Sequence, residues 1–367
     1  MRLFAVCSKL MLVTIFLSVG CARQSNPIAS PSSQTIDTNK LKPSCFVGGE
    51  TPLIDNTAPD PGWTWNDPHV LKMDGKYWMY ASSTDNFVYP VKIYRLTSSN
   101  DTGYMRNPAA PILEPGTSGS WDAGGVETPA VVYFQGQYHL FWTGYPYPVD
   151  DPNYNVLDFR IGHATSTNGV TWTRDPANPI ISPSPSDNDT SNDWYSYIVA
   201  EPGPVVYNEK IYLYFTAIGP GSASGTLQVI GLITSSDGVT WSAPQLALTP
   251  DQTLWPNSAG WVGYSTPNAI VLNNAVHLFY DVAYNPTGTY KQVRLSHAWS
   301  SDGITGWAQD TTPIASAGEY AWNTEEIRSP DALLDGTTLR LYYAGHNIPV
   351  TAAPNLAIAE KTCNLSP

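Results

Sequence analysis

Short runs of apolar and polar positions alternate along the chain in a pattern that returns five times. Each copy begins with a proline, continues through an apolar run, reaches a short polar turn and ends in an aromatic-rich run, as antiparallel strand pairs do. The prolines are Pro68, Pro129, Pro202, Pro267 and Pro330, and the second runs are marked nine positions later by Tyr77, Tyr138, Ile211, Val276 and Leu339. Constant spacing over five copies predicts a repeat architecture.

A further element follows the strand pair. It reads IGHATSTNGVTW, IGLITSSDGVTW and LSHAWSSDGITGW after the second, third and fourth copies, and degenerate forms follow the first and fifth. An apolar run that leads into Asn-Gly or Asp-Gly is typical of a third strand and a tight turn to an outer strand. Four strands in each of five repeats predict an all-β fold over residues 45–367, a single five-bladed β-propeller with four-stranded antiparallel blades.

The first 44 residues differ in character. Residues 1–20 combine Arg2 and Lys9 with an apolar run, which is typical of a lipoprotein signal peptide with acylation of Cys21 after cleavage; ordinary secretion is the alternative. Residues 21–44 are rich in Ser, Pro and Asn and predict a flexible tether. We expect a lipid-anchored protein of the bacterial cell envelope, or a secreted or periplasmic one without acylation.

The composition limits which kinds of partner the protein can bind. Of the 367 residues 42% are hydrophobic and only 13% are charged, and the net charge of −13 argues against a nucleic-acid partner. We expect a monomer that contacts a membrane only through its lipid. Once Cys7 and Cys21 are assigned to the signal and the lipid, Cys45 and Cys363 remain at the two ends of the repeats. In an exported protein they favour a disulfide that closes the fold, two unpaired buried thiols being the alternative.

Carboxylates recur at one position of the repeat. The residue before each repeat proline is Asp67, Thr128, Glu201, Thr266 or Ser329. Hydroxyl residues suffice in three copies, and Glu is too long for the short Asx-type bond of a turn-former, so a turn alone does not explain the acids. Glu127 lies one position earlier in the second copy. We predict that Asp67, Glu201 and Glu127 converge at the axis of the repeats.

Two carboxylates across a pocket suit glycosidic bond cleavage, because one donates a proton to the leaving oxygen and the other activates water or attacks the sugar. Like charges in a partly dry site separate their pKa values and divide these roles. Alternatively, Glu127 and Glu201 pair with Arg328 or cap loops. Substrate contacts are predicted for Trp65, Asn66, His69, Trp121, Tyr264 and Arg328. Loop packing is the alternative for the aromatic residues, and a structural role for the histidine. The sequence shows no metal-ligand cluster.

The proline-initiated units, the ATS-x-(N/D)-G-V-T-W units and the opening WNDP resemble the five-bladed propeller glycoside hydrolases of families 43 and 62, and of the related families 32 and 68. The resemblance covers essentially the whole folded chain. Similarity to family 43 implies that Asp67 is the catalytic base, and similarity to family 32 implies a nucleophile. Glu201 takes the place of an acid that tunes pKa values. The family's donor glutamate has no counterpart in the fourth copy, which leaves Glu201 and Glu127 as candidate proton donors. A donor from the fifth copy, where Glu325, Glu326 and Asp331 flank Arg328, is the alternative.

What the resemblance implies is a glycosidase of arabinofuranosidase, xylosidase or arabinanase type that acts on poly- or oligosaccharides and requires no cofactor. Some relatives hold a calcium ion in the central channel near a histidine of the last blade, and His346 in AGHN would be its counterpart. The missing acid of the fourth copy favours a different class, a non-catalytic glycan-binding propeller. Turnover separates the two hypotheses.

Overall fold

The chain folds almost entirely into strands. The structure, a computed structural model, describes residues 35–85, 88–155, 158–184, 194–220, 226–286, 288–348 and 356–367. Helix appears as short 3-10 turns at Thr38–Lys40, Pro43–Cys45 and Asn257–Ala259. The predicted all-β class is confirmed. No helix in the described part of the chain has the length and apolarity that a membrane crossing requires.

The strands fall into five successive groups, here termed units, and neighbouring strands within a unit pair antiparallel. Unit 1 contains β1 (Thr64–Met73), β2 (Lys76–Asp85), β3 (Val88–Ser98) and β4 (Met105–Arg106). Unit 2 contains β5 (Gly125–Phe134), β6 (Gln137–Tyr145), β7 (Arg160–Ser166) and β8 (Thr173–Arg174). Unit 3 contains β9 (Ile198–Tyr207), β10 (Lys210–Pro220), β11 (Thr226–Ser235) and β12 (Gln245–Leu248). The predicted four-stranded antiparallel sheets are confirmed in these units.

The last two units depart slightly from that plan. Unit 4 contains β13 (Trp261–Leu272), β14 (Ala275–Tyr284), β15 (Lys291–Ser300), β16 (Ala308–Gln309) and β17 (Ala315–Ser316). Unit 5 contains β18 (Glu326–Asp335), β19 (Thr338–His346) and β20 (Ala357–Asn364). A single parallel pairing of Gln228 with Gly263 joins units 3 and 4 into one sheet.

The hydrophobic core lies between the units. Four of the five buried clusters each join two units that follow one another along the chain, and the fifth joins unit 5 to unit 1. In that fifth cluster Trp65 and Met79 of unit 1 pack with Tyr342 and Ile358 of unit 5. The order of contacts is therefore cyclic, because the same apolar strand faces recur in every repeat.

The N-terminal segment completes unit 5. Val47 bridges to Thr362 and Ile54 to Ile358, so this segment pairs with β20 at its outer edge. The predicted disulfide between Cys45 and Cys363 is confirmed. It links positions 318 residues apart and fixes the start of the repeats to their end.

The predicted tether is too long at its C-terminal end. Within residues 35–44, Asp37 donates its N–H to the Leu365 carbonyl at 2.9 Å, and Leu41 is buried in the core between units 4 and 5. A burial-driven contact of this kind is not expected of a solvated linker. The signal peptide, Cys21 and the rest of the tether lie outside the described residues and stay predictions.

One backbone feature recurs in all five units. The residue before each repeat proline has a positive φ: 52° at Asp67, 50° at Thr128, 56° at Glu201, 46° at Thr266 and 53° at Ser329. Strand pairing shifts register at each of these points, which is the mark of a β-bulge. Proline lacks an N–H and cannot donate a strand-pairing hydrogen bond. A strand therefore tolerates proline at a bulge, where this pairing is interrupted.

Candidate active site

The three predicted carboxylates meet in one cavity. A pocket of about 460 Å³ is lined by Asp67, Glu127 and Glu201, together with Asn66 and Arg328. Its rim is completed by Ser82, Ser83 and Thr84 of β2, Tyr89 and Val91 of β3, Val149, Gln292 and Leu356. Residues from all five units therefore converge on one space, and the three acids come from units 1, 2 and 3, as the repeat alignment predicted.

The bulge explains why neighbouring residues reach the same cavity. In a regular strand successive side chains point to opposite faces. Asn66 and Asp67 nevertheless both line the pocket, because Asp67 has a φ of 52°. Glu127 and Arg328 occupy the position of Asn66 in their own units, each one residue before the bulge residue. Two adjacent positions per repeat can thus supply pocket groups.

Asp67 is held from the neighbouring unit. The Ser329 hydroxyl donates to Asp67 Oδ1 at 2.7 Å. Only 6% of Asp67 is exposed, yet it lines the pocket. This contact spans the junction of units 1 and 5 and fixes one carboxylate oxygen.

Glu201 is also fixed. Its Oε2 accepts from the Thr216 hydroxyl at 2.5 Å and from the Thr266 N–H at 3.0 Å. Burial and the nearby charge of Asp281 raise the pKa of Glu201 to about 7, against these two hydrogen bonds, which lower it. Glu201 is thus an oriented acid whose charge is partly stabilised by donors.

Glu127 has few partners by comparison. The Tyr145 hydroxyl lies 3.4 Å from Glu127 Oε2, and no ion pair forms at this carboxyl within the described residues. Burial, followed by the charges of Asp67 and Glu201, raises the pKa of Glu127 to about 8. At neutral pH this carboxyl is mainly protonated and can donate.

Arg328 pairs outside the acid group. Its Nη1 lies 3.6 Å from Glu326 Oε2, and His346 Nε2 lies 2.7 Å from the same oxygen. His346 Nδ1 also faces the Ile348 carbonyl at 2.7 Å, so both ring nitrogens have acceptors as partners. The predicted alternative of an ion pair from Arg328 to Glu127 or Glu201 is not found among the described residues. The guanidinium instead lines the pocket as a positive charge.

Unit 4 contributes a carboxylate that the sequence analysis missed. Asp281 on β14 is fully buried, and its Oδ2 accepts from the Ser329 N–H at 3.1 Å. Ser265 also donates to it, and Gln292 Nε2 lies 3.2 Å from each oxygen. Burial raises the pKa of Asp281 to about 6 in spite of these donors.

A periodic signal for Asp281 is present in the sequence. The equivalent residues of the second strands are Ser82, Thr143, Thr216, Asp281 and Ala344. In the first four units this side chain accepts the N–H of the next unit's bulge residue: Thr128 N–H to Ser82 at 2.8 Å, Glu201 N–H to Thr143 at 2.7 Å, Thr266 N–H to Thr216 at 2.9 Å and Ser329 N–H to Asp281. Asp281 is the single acid at this position, as Asp67 and Glu201 are the two acids before the prolines.

The structure places the three predicted aromatic contacts outside the pocket. Trp65 is fully buried and stacks on Trp63 at 5.8 Å, and Tyr264 is fully buried and donates its hydroxyl to Gln309. Trp121 stacks on Trp142 at 6.1 Å beside the core between units 1 and 2. None of them lines the pocket. For Trp65 and Tyr264 the reason is the bulge, which turns the residue two positions before it into the core and which strand alternation alone does not predict.

His69 is a structural residue rather than a substrate contact. Its Nδ1 lies 2.8 Å from Asp331 Oδ1 and its Nε2 lies 2.8 Å from the Val131 carbonyl. Burial lowers the pKa of His69, but Asp331 and the carbonyl outweigh it, and the pKa is raised. Asn268 also donates to Asp331 at 2.6 Å. His69, Asn268 and Asp331 line a small inner cavity together with all five repeat prolines and with Asp67 and Glu201.

Metal binding has no donor cluster to support it in the described residues, where no group of three or more His, Cys, Asp or Glu side chains could hold an ion. His346 is satisfied by Glu326 and a carbonyl, as described above. The calcium ion implied by the resemblance stays a prediction.

Comparison with solved structures identifies the fold. The BT0996 RGII complex superposes with a TM-score of 0.66 at 15% identity, over 89% of this protein and 93% of the other. A thermostable family-43 glycoside hydrolase gives 0.57 at 14%, over 81% and 89%. The catalytic domain of the Coprinopsis cinerea GH62 α-L-arabinofuranosidase gives 0.59 at 14%, over 88% and 98%. The protein has the fold of glycoside hydrolases.

The predicted resemblance to families 43 and 62 is confirmed for the fold. By sequence, no family model and no curated protein matches the chain. At 14–15% identity the likeness extends to the fold alone, so the activity has to be argued from the site.

Proposed function

We propose that this protein is a glycosidase built on a five-bladed β-propeller, with the five units as its blades. The cyclic order of the core clusters supports the architecture, as does the inner cavity that all five repeat prolines surround. In such a fold the strand starts nearest the axis face a central funnel, which is where the acids lie. Glycoside hydrolases with the same fold support the reaction class.

One observation carries the function. Asp67, Glu127 and Glu201 line a single pocket but differ in surroundings, and the pKa of Glu127 is raised to about 8. A buried carboxyl that holds its proton beside other carboxyls is what the acid step of glycosidic bond cleavage requires. A structural salt-bridge network would instead pair the acids with cations.

The roles follow from the contacts. Glu127 is the proton donor, because it is mainly protonated at neutral pH and its oxygens are not occupied by strong donors. Asp67 is the base that takes a proton from water as the water oxygen bonds to the anomeric carbon. The glycosidic carbon–oxygen bond breaks, and the leaving oxygen receives the proton of Glu127. Glu201 orients the pocket and raises the pKa of Glu127 by its charge.

The substrate is a carbohydrate with a furanose or xylose-type terminal sugar, hydrolysed with inversion as in family 43. A pocket of about 460 Å³ is in the range of small-molecule sites and accommodates a terminal sugar unit. The relatives named for RGII and for α-L-arabinofuranosidase activity support this class. Proton NMR of the first-formed product anomer tests inversion.

A non-catalytic glycan-binding propeller is the second candidate. The observation that favours it is Thr266 before the unit 4 proline, where family 43 leads one to expect a donor on that side. Asp281, the acid that unit 4 does supply, is fully buried and bonded to Ser265 and Ser329. A lectin-like site would bind sugars but show no turnover with any substrate.

Asp67→Asn tests the enzyme directly. Loss of the base should lower kcat on aryl arabinofuranosides and xylosides by about 10²–10⁴-fold, the usual contribution of general acid–base groups. The matched control is Asp74→Asn, an exposed aspartate in the β1–β2 turn of the same unit. Equal activity of the two variants, or binding without turnover in the wild type, would favour the lectin instead.

Export and lipidation belong to the same proposal. The disulfide between Cys45 and Cys363 supports an oxidising compartment. Metabolic labelling with a radioactive fatty acid should mark the wild type but not Cys21→Ala. Equal labelling of both would refute the anchor.

A further inference from the structure

Each unit is normally covered by a turn of the next. Two glycines show how close this contact is: a Cβ added at Gly169 of unit 2 would lie 2.9 Å from Trp78 Cζ3 of unit 1. One added at Gly238 of unit 3 would clash with His139 Cε1 of unit 2. The Asn-Gly or Asp-Gly turn between the third and fourth strands thus packs directly on the neighbour's second strand. Glycine is required there by close approach and by its positive φ.

Unit 5 has no such turn, because the N-terminal segment replaces its fourth strand. The residue of unit 4 that corresponds to Trp78 and His139 is His277. Phe46 of the N-terminal segment contacts Phe279 edge-on at 6.3 Å, but His277 instead lines a cavity of about 870 Å³. The missing turn therefore leaves a space between unit 4 and the N-terminal segment.

A hydrogen-bonded chain of three side chains leads into this cavity. His297 Nδ1 lies 3.0 Å from Asp310 Oδ2, and His277 Nδ1 lies 3.0 Å from His297 Nε2. When a neutral His297 ring donates its Nδ1–H to Asp310, His297 Nε2 is the acceptor and takes the proton of His277 Nδ1 as a hydrogen bond. The remaining His277 Nε2 then carries a lone pair. Burial, followed by His297, lowers the pKa of His277 to about 3, which keeps its ring neutral.

This lone pair has no hydrogen-bond partner in the described part of the chain. His277 is 6% exposed, and within the described residues no group hydrogen-bonds to its Nε2. An acceptor on a residue that lines a polar cavity takes its donor from water or a ligand. Unit 2 contains the same chain of His139, His163 and Asp175. There the Gly238 turn seals it, so the chain is structural in one unit and open in the other.

Trp299 adds an aromatic face to the opening. It is 40% exposed, lines the cavity and stacks on the ring of His297 at 5.7 Å with an angle of 17°. Unit 2 has Thr165 at the equivalent position. The rest of the lining is mostly hydroxyl and amide, including Asn39, Ser301 and Thr312.

This combination selects one ligand chemistry. An exposed indole suits the apolar face of a sugar ring, and an unpartnered acceptor surrounded by hydroxyls suits sugar hydroxyl donors. A divalent metal would need several anionic or imidazole ligands, and no such group exists in the described residues. We propose that the cavity between unit 4 and the N-terminal segment is a second saccharide site, which holds a polysaccharide chain away from the acids.

Retardation in polyacrylamide gels that contain arabinan, xylan or galactan tests this site. The proposal rests on the proposed function only for the choice of polysaccharides. In an Asp67→Asn background, which prevents turnover, Trp299→Ala should weaken binding to at least one polysaccharide about tenfold or more, as loss of an aromatic anchor does. Trp299→Phe should restore most of it, because the aromatic face returns. Thr165→Ala in unit 2 is the matched control and should leave retardation unchanged.

The outcomes separate the two proposals. If no polysaccharide retards the parent protein, or if Trp299→Ala and Thr165→Ala migrate alike, the second site is overturned whatever the activity. If the wild type hydrolyses no substrate while retardation depends on Trp299, the proposed enzyme fails and the saccharide site stands. Thermal melting of each variant checks that the fold is intact.

Discussion

Glu127 and Glu201 are both glutamates in one pocket, but their hydrogen-bond partners suit them to different chemical roles. Thr216 and Thr266 both donate to Glu201 Oε2, whereas Glu127 has a single hydroxyl at 3.4 Å. Hydrogen-bond donors stabilise the charged form of a carboxyl, whereas desolvation favours its neutral form. Glu127 is therefore suited to donate a proton and Glu201 to remain in place.

Leaving-group dependence tests the donor role. Glu127→Gln should lower kcat/KM about 10²-fold or more on aryl glycosides with poorly acidic phenols, because these leaving groups need a proton. Dinitrophenyl glycosides should lose far less, since dinitrophenolate leaves without one. A uniform loss over both substrates would mean that Glu127 binds or positions substrate rather than protonating it.

The stability of the fold should depend on pH through the same residue. The pKa of Glu127 is about 8 in the folded chain, above its ordinary value near 4.5, so the folded state binds the extra proton. The contribution of this proton to the free energy of unfolding is fully present below about pH 4.5 and is lost as pH rises through about 8. Glu127→Gln should raise Tm, relative to the wild type, more at about pH 8.5 than at about pH 5.

Calorimetric scans at the two pH values measure this difference. Glu209→Gln, an exposed glutamate in the β9–β10 turn, should show no such dependence. A Tm change for Glu127→Gln that is the same at both pH values would contradict the raised pKa.

At the scale of the strand, the bulge before each proline is a property of the fold rather than of catalysis. Thr128, Thr266 and Ser329 have the same left-handed φ as the two acids. A left-handed non-glycine residue costs about 1–2 kcal/mol. The hydrogen bond from each bulge N–H to the previous unit's second strand offsets that cost in four of five units.

Thr216→Val removes one such support without a change of shape. The Thr266 N–H loses one of its two acceptors and keeps only Glu201 Oε2, which itself loses a donor, so we expect a loss of about 1–3 kcal/mol in unfolding free energy. Thr173→Val, at an exposed position in β8, should cost little. Urea titrations of both variants measure the difference, and equal midpoints would show that the hydroxyl is dispensable.

The strand register also sets how much of the site the sequence predicts. Asp67, Glu127, Glu201, Asn66 and Arg328 line the pocket as expected, because the repeat alignment fixes their positions relative to the proline. A left-handed residue has no sequence signature when Thr, Ser, Asp and Glu all adopt it. The alignment could not show that the chain turns at this point, and so it placed Trp65 and Tyr264 in the site rather than in the core.

At the scale of the molecule, closure is made by the N-terminal segment and the disulfide. The repeats and the cysteine arithmetic predicted this closure, whereas the docking of residues 35–44 depends on a surface formed by units 4 and 5 together. No local pattern in a Ser- and Pro-rich segment indicates such a surface. The docking of residues 35–44 therefore depends on the assembled fold and not on their own sequence.

Loss of the disulfide should destabilise the whole fold. Cys45→Ala with Cys363→Ala opens a loop closed over 318 residues, and the chain-entropy relation for a loop of this length gives on the order of 5 kcal/mol. We expect a lower Tm for the double variant and for the reduced wild type. The kcat of folded protein should be retained, because neither cysteine lines the pocket. An unchanged Tm would mean that strand pairing by Val47 and Ile54 suffices for closure.

The five left-handed positions have an evolutionary consequence. Because aspartate, glutamate, threonine and serine all fit the same backbone, a carboxylate can be lost from one repeat and gained in another without a change in the path of the chain. Catalytic roles can therefore migrate around the axis within a lineage while the scaffold stays constant. Protein design can use the same freedom, because an acidic residue can replace Thr128 or Thr266 on the same backbone.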